Sequence, residues 1–284
     1  MPIDSKSGRE TFISSGISPG ISPGENPLHT RRLFLRHMWR GLALSPAVLA
    51  SLSPARSAAL PASNTFTLAQ LKYPGGQWDP RPRATLAMMR EVRQRTSVET
   101  EDERVVVTLQ DPALFSYPFL YMTGEQEFAP LTDPALATLR RYLLFGGLLL
   151  IDDARGNKGR DFDASVRRDM ARLFPDKPLK VLAPDHTIFR SFYLIRTVGG
   201  VRLVNPYLEG VQIGERTPLL YCQNGLGAAW ERDFLGNWVS PCYPGGEAQR
   251  LEAFKLGVNA VLYALTVNYK QDLIHIPFIR KKLG

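Results

Sequence analysis

The sequence has few of the residues, and none of the short motifs, by which many active sites are recognised. Only two of its 284 residues are cysteine and four are histidine, and no CxxC pair occurs, so a zinc site is not expected. No GxSxG elbow and no GxGxxG turn follows a predicted strand, and an HExxH pair and a P-loop are absent too. No apolar run has the length of a membrane span. We therefore predict no metal and no cofactor.

The positive charge of the chain is concentrated at its start. The formal net charge is +8, from 35 basic and 27 acidic residues. Residues 1–59 hold seven of the basic and three of the acidic side chains, which leaves 28 and 24 in the rest. Since the remaining excess is small, the charge does not predict a nucleic-acid partner.

The first 59 residues have the pattern of an export signal. A basic segment with two consecutive arginines precedes a short apolar stretch at 41–52, and small residues at 55–59 precede a cleavage site before Leu60. The pattern depends on Arg31, Arg32, Phe34 and Leu35, and it resembles a twin-arginine translocation signal. The resemblance implies the twin-arginine translocase as a partner, a periplasmic location and only transient membrane contact through the leader. The alternative is a chance arginine pair in a disordered tail.

Both cysteines, Cys222 and Cys242, follow the predicted cleavage site. An oxidising compartment permits a disulfide between them, and closing a loop of about twenty residues would contribute roughly 3 kcal/mol. The alternative is two buried free thiols. The sequence does not choose between them.

Residues 60–284 alternate between strand-like and helix-like patterns, which predicts a single α/β domain with a mostly parallel sheet. The predicted strands are 66–73, 104–109, 119–122, 148–151, 179–182, 210–213 and 218–222. The predicted helices are 83–95, 164–173, 247–265 and a helix with Asp133 or Thr132 as its N-cap and Pro134 as its first residue. In such sheets ligands bind at the carboxyl ends of the strands, which draws attention to residues 121–125 and 152–156.

Several segments carry a family resemblance. The runs YMTGEQEF, LTDPALATLRRYL and GGLLLIDDARG, continued by FDASVRRDMARLFP and the segments up to HIPFIRKK, resemble an exported bacterial family of unknown function over about residues 66–280. The resemblance implies a three-layer sandwich of the class I glutamine-amidotransferase-like (flavodoxin-like) fold, with a β-rich insertion. Family members lie near von Willebrand A-like proteins and MoxR-type ATPases, which implies cell-envelope partners.

The chain departs from the amidotransferase pattern at one decisive position. Enzymes of that fold carry a nucleophilic cysteine at the turn where this chain has Asp152, Asp153 and Ala154. Because the chemistry needs a thiolate beside a histidine, glutaminase activity is not expected.

The two aspartates of GGLLLIDDARG are the first candidates for chemistry. As strand neighbours they should point to opposite faces, and we expect Asp153 to face the crevice as an acid, a base or a metal ligand. Asp161 or Asp163 would assist it. The alternative is that one aspartate caps the following loop while the other is solvated.

Two functions are compatible with these features. The first is a non-catalytic ligand-binding or assembly module of the cell envelope. The second is a hydrolase of a carbohydrate or cell-wall substrate, with Asp153, Glu125 and His186 as catalytic residues. The second requires these side chains to lie within about 10 Å of one another. His186 has a structural alternative, as a loop histidine bonded to the backbone.

The remaining candidates are predicted to bind a ligand. The turn at Thr123 and Gly124 corresponds to the oxyanion loop of the resembled fold, and its backbone N–H groups could bind an anion; Asp152 lies at the next strand end. A second group follows the first strand, where an aromatic ring flanked by glycines could stack on a planar ligand. Its members are Gly75, Gly76, Trp78 and Asp79.

Overall fold

The computed structural model describes residues 65–156 and 158–283, with side chains described as far as residue 266. The predicted leader, with its arginine pair, lies outside the described residues. The described chain contains seven strands: β1 (Ala69–Leu71), β2 (Val105–Val107), β3 (Phe119–Gly124), β4 (Leu148–Asp153), β5 (Lys180–Val181), β6 (Glu209–Ile213) and β7 (Arg216–Cys222). Its α-helices are α1 (Ala84–Arg95), α2 (Asp133–Leu144), α3 (Asp161–Leu173), α4 (Leu226–Trp230) and α5 (Gly246–Leu283).

All seven strands belong to one sheet, in the order β2-β1-β3-β4-β7-β6-β5. The first five of these strands pair in parallel, whereas β6 is antiparallel to β7 and β5 is antiparallel to β6. The prediction of an α/β fold with a mostly parallel sheet is confirmed. Because the chain leaves β1 towards β2 and later returns on its other side as β3, the strand order reverses between β1 and β3.

The central strands are buried on both faces, as their continuous apolar runs predict. Every residue of β3 and of β4 is buried. On one face, side chains of β3, β4 and β7 pack with α1, α4 and α5. On the other face, the alternate side chains pack with α2 and α3.

The ends of α2 follow its local sequence. Thr132 is the N-cap, and its hydroxyl accepts a hydrogen bond from the N–H of Ala135. Past the C-terminus, Gly146 has φ +116°. A Cβ on Gly147 would lie 2.3 Å from the ring of Tyr142. The tyrosine ring therefore occupies the space that a side chain at position 147 would need. These contacts fix the entry of the chain into β4.

The structure differs from the prediction mainly in the lengths of its strands and helices. β4 extends two residues further, so both aspartates belong to the strand. Helix α4 and two short 3₁₀ helices, at Pro112–Ser116 and Thr187–Arg190, were not predicted. Helix α5 continues to Leu283, well past the predicted end at residue 265. Among the described helices, none combines the length and the apolar character that crossing a bilayer requires.

Candidate functional site

The carboxyl ends of the parallel strands face a cavity of about 790 Å³. Arg81 lies in the loop after β1, Glu125 directly after β3, and Arg155 two residues after β4. The opposite wall is formed by residues of two loops, 201–204 and 240–244. The cavity therefore lies at the end of the sheet, and next to the change of strand order, where α/β proteins bind their ligands.

The cavity is positively charged. Arg81 donates a hydrogen bond of 2.7 Å to the carboxylate of Glu125, while its Nε is buried without an acceptor among the described residues. Arg155 and Arg202 are exposed at the cavity wall, and no hydrogen bond or ion pair with a described residue holds either guanidinium. Three arginines thus face one glutamate, and the guanidinium groups of two of them have no partner among the described residues.

Asp152 is a structural carboxylate. It is fully buried on the α4 face, where its oxygens accept hydrogen bonds from the N–H groups of Leu226 (2.7 Å) and Gly227 (2.8 Å) and from the hydroxyl of Tyr121 (2.8 Å). Burial raises its pKa, while these bonds and the charge of Arg81 oppose the rise. Asp152 therefore anchors the first turn of α4 to the sheet, and the alternative in which it is solvated is wrong.

Asp153 points to the other face and is incompletely satisfied. Its Oδ1 accepts hydrogen bonds from the N–H groups of Arg155 (3.0 Å) and Gly156 (2.8 Å), which is the loop-capping arrangement predicted as an alternative. Its Oδ2 is buried and has no partner among the described residues. Burial raises its pKa to about 6, and the charges of Asp152 and Asp163 add to the rise. Neither aspartate lines the cavity, whose wall at this turn is Ala154 and Arg155.

Asp163, the first-turn aspartate of α3, is the charged neighbour of Asp153. Its carboxylate accepts hydrogen bonds from the side chains of Tyr221 (2.7 Å), Gln223 (2.6 Å) and Arg167 (3.1 Å) and from the N–H of Gly159 (2.5 Å). Burial opposes its ionisation, but these donors outweigh burial and lower its pKa. The pair thus divides into a satisfied carboxylate with a lowered pKa and a carboxylate with an unmatched oxygen and a raised pKa.

The structure does not bring the three predicted catalytic residues together. Glu125 lies in the cavity, but His186 contacts the amino end of β7, where its Nε2 is 2.9 Å from the hydroxyl of Thr217. Its Nδ1 accepts a hydrogen bond from the N–H of Ile188, and burial lowers its pKa. Five strand residues, roughly 17 Å, separate Thr217 from the carboxyl end of β7. A relay that includes His186 is therefore excluded, and its structural alternative describes it correctly.

The turn at Thr123 and Gly124 is closely packed. The backbone oxygen of Thr123 accepts a hydrogen bond from the hydroxyl of Tyr73 (2.9 Å), and that of Gly124 accepts one from the N–H of Ala154. A Cβ on Gly124 would lie 2.2 Å from the Tyr73 hydroxyl and 2.5 Å from the ring of Phe162. The hydroxyl of Thr123 is buried without a partner among the described residues. The glycine is needed here for packing between β3, the Tyr73 loop and α3.

The other predicted ligand-binding loop, residues 75–79, is held by protein contacts. Positions 75 and 76 are glycines against the backbone of residues 127–129. Asp79 accepts two hydrogen bonds from Arg104, and Trp78 is half-buried with Arg104 and Lys72 near its ring. These contacts account for the residues of the loop without a ligand.

One comparison with known proteins adds an identification. The model of the family DUF4159, described as a domain of unknown function, matches residues 67–265. The chain belongs to this family. The matched region begins just before β1 and ends within α5, so it contains the whole sheet and every element that forms the cavity. No curated protein shows significant similarity to the chain.

The two cysteines of this DUF4159 domain are free and buried. Cys222 lies at the carboxyl end of β7, beside Asp152 in the sheet register, and Cys242 lies in the loop before α5. Of the two alternatives that the sequence left open, the structure has the free, buried thiols. Burial, with the charge of Asp152, raises the pKa of Cys222 well above its usual value, and burial also raises that of Cys242. Neither thiol has the environment of a nucleophile.

Sequence reasoning did not find the cavity arginines of the DUF4159 domain. Arg155 could have been selected, because it belongs to the turn after β4 in GGLLLIDDARG. Arg81 follows β1 by ten residues, and Arg202 lies in a loop that no strand-end signal marks. Their convergence depends on the packing of three separate loops, which no local pattern encodes.

Proposed function

We propose that this protein is a non-catalytic ligand-binding module of the cell envelope, and that its cavity binds an anionic ligand. The observation that carries the proposal is the pair Arg155 and Arg202, which lie in one cavity at the carboxyl edge of the sheet without acceptors among the described residues. Guanidinium groups bind carboxylates and phosphates in bidentate geometry. Arg81 strengthens the local positive potential although Glu125 occupies one of its donors.

The lack of a nucleophile supports a binding role over a catalytic one. Both oxygens of Asp152 are engaged by α4 and Tyr121. His186 is at the far end of the sheet, and Cys222 is buried with a raised pKa. Acid–base or covalent chemistry needs groups that can reach one reacting atom. The described residues of the cavity supply three arginines, one ion-paired glutamate and the hydroxyls of Ser240 and Tyr243, with no histidine among them to activate a hydroxyl.

The finer fold assignment is also a proposal. The order β2-β1-β3-β4-β7 is that of flavodoxin-like sheets, which supports the class I glutamine-amidotransferase-like fold, with β5 and β6 as the β-rich addition. In that fold the turn after β4 would be the former nucleophile position. Here it contributes Ala154 and Arg155 to the cavity wall.

Ligand binding can be tested by calorimetry with three probes: inorganic phosphate, succinate and glucose 6-phosphate. We expect at least one to bind, and we expect the double variant Arg155→Gln, Arg202→Gln to bind it at least about tenfold more weakly, because each guanidinium–anion contact contributes on the order of 1 kcal/mol or more. Arg190→Gln is the matched control, since Arg190 is exposed near His186 at the other end of the sheet. No binding by any probe, or equal binding by the double variant, would overturn the proposal.

We also propose that the protein is exported to the periplasm through the twin-arginine pathway, a proposal that rests on the leader sequence alone. A periplasmic location is consistent with partners of the von Willebrand A-like and MoxR-type systems. In cells, changing Arg31 and Arg32 together to lysine should retain the protein in the cytoplasm, whereas Arg40→Lys should not. Periplasmic delivery of the double variant would reject the twin-arginine assignment.

A further inference from the structure

A short turn between α4 and α5 holds the two most exposed large apolar side chains among the described residues. Phe234 is 91% exposed and Leu235 is 87% exposed. The turn is closed by an antiparallel bridge between Arg232 and Trp238. We call residues 232–238 the apolar tip. Single exposed apolar residues are ordinary, but an adjacent pair at a protruding turn requires an explanation.

The apolar tip is held rigidly by the carboxylate of Asp233. Its Oδ1 accepts hydrogen bonds from the N–H groups of Leu235 (2.9 Å) and Asn237 (2.8 Å). The backbone N–H of Asp233 donates a hydrogen bond to the carbonyl oxygen of Asn237. Gly236 takes φ +86° to complete the turn. These bonds engage the only acidic side chain of the tip, and the N–H groups of Asn237 lower its pKa.

The base of the tip is equally fixed. The ring of Trp238 lies between two guanidinium groups, Arg232 at 3.4 Å and Arg250 at 4.1 Å from its centroid. Arg83 lies 4.2 Å from the ring centroid of Phe234 and donates a hydrogen bond to the carbonyl oxygen of Arg232. The tip is therefore a preformed projection.

The surface around the tip is basic. A groove of about 440 Å³ beside it is lined by five arginines and three acidic residues. The acids are already engaged: Glu91 with Arg95, Glu247 with Arg250, and Asp233 within the tip. No carboxylate of a described residue forms an ion pair with the other three arginines, which are Arg83, Arg90 and Arg232.

We propose that the apolar tip is a membrane-contact site, in which Phe234 and Leu235 enter the interface of an anionic bilayer and the three unpaired arginines face its phosphate groups. Two side chains on a convex turn are too small an area for a stable protein interface, and self-association would bring the same arginines together. A fluid bilayer accommodates a convex apolar projection, and anionic headgroups complement its basic surroundings.

An environment-sensitive label tests this on the full chain. Because both native thiols are buried, Leu235→Cys can be labelled selectively with nitrobenzoxadiazole, with Leu194→Cys, at a 68% exposed position, as the matched control. On vesicles of phosphatidylcholine and phosphatidylglycerol the label at 235 should shift to the blue and brighten severalfold, whereas the label at 194 should not. Adding Phe234→Ser should weaken vesicle binding by about tenfold, and adding Arg90→Gln by about fivefold.

Three outcomes would overturn the proposal. The label at 235 could stay in water while the protein sediments with vesicles, which would assign binding to another segment. It could respond equally to pure phosphatidylcholine, which would remove the role of the arginines. It could respond to protein concentration without vesicles, which would make a second copy the partner. None of these outcomes depends on ligand binding in the cavity.

Discussion

Replacing Asp153 by asparagine should stabilise the protein at neutral pH. An asparagine can keep the carbonyl oxygen that accepts from the N–H groups of Arg155 and Gly156, while its amide takes the place of the unpartnered Oδ2. The substitution removes a negative charge that lies beside Asp152 and Asp163. It therefore relieves a buried charge without removing the turn it supports.

The magnitude follows from the pKa. A rise from 3.8 to about 6 means that ionising Asp153 in the folded state costs up to roughly 3 kcal/mol at neutral pH. Below about pH 4 the carboxyl is protonated in both folded and unfolded chains, so the penalty is absent. It grows as the pH rises towards 6 and is constant above that value. The asparagine variant should lack this loss.

Urea unfolding at several pH values between 4 and 8 provides the measurement. The free energy of unfolding of Asp153→Asn should match that of the wild type near pH 4 and exceed it by about 1–3 kcal/mol at pH 7.5. Asp163→Asn is the matched control: because its pKa is lowered, the stability it contributes is present at neutral pH, and its loss should cost about 2–4 kcal/mol there. A destabilised Asp153→Asn variant at pH 7.5 would refute the reasoning.

Three other predictions concern residues around the site. Gly124→Ala should destabilise the protein by about 1–3 kcal/mol in urea unfolding, because the new Cβ meets Tyr73; an unchanged midpoint would contradict the packing described. Cys222 and Cys242 should react with a thiol reagent only after unfolding, and reductant should not change the melting temperature; rapid labelling of the native protein would contradict their burial. His186→Gln should leave anion affinity in the cavity unchanged, since the side chain lies at the other end of the sheet, and a tenfold loss would contradict that placement.

The fold was largely predictable because its signals are local. The apolar run before Asp152 gave a buried parallel strand, and Thr132 with Pro134 gave the start of α2. The opposite orientation of Asp152 and Asp153 followed from strand geometry alone. The sequence did not predict that Asp152 is buried. Its burial depends on α4, a five-residue helix whose start needs a left-handed glycine at position 225.

The candidate site was less predictable because it is assembled from distant segments. The sequence patterns grouped His186 with Asp153, but the chain turns back after β5, which runs in the same direction as β7, and His186 contacts Thr217 at the amino end of β7. Arg202 reaches the cavity through the bonds of its loop to Asn224. Such placements depend on the packing of loops, and single-residue chemistry does not reveal them.

The structure gives two different roles to the turn of GGLLLIDDARG. Its aspartates are structural: Asp152 holds α4, and Asp153 closes the turn. Its next residues, Ala154 and Arg155, form part of the cavity wall. In the proposed fold this turn would be the nucleophile position, and here it presents a cation, which supports the proposed binding function.

The most direct test of the anion-binding proposal is a crystal structure of the protein grown with selenate, whose anomalous signal locates the ion. We expect a peak in the cavity within hydrogen-bond distance of the guanidinium groups of Arg155 and Arg202, and we expect the peak to disappear in the double glutamine variant. Selenate bound only elsewhere on the molecule, with these two arginines unliganded, would contradict the account.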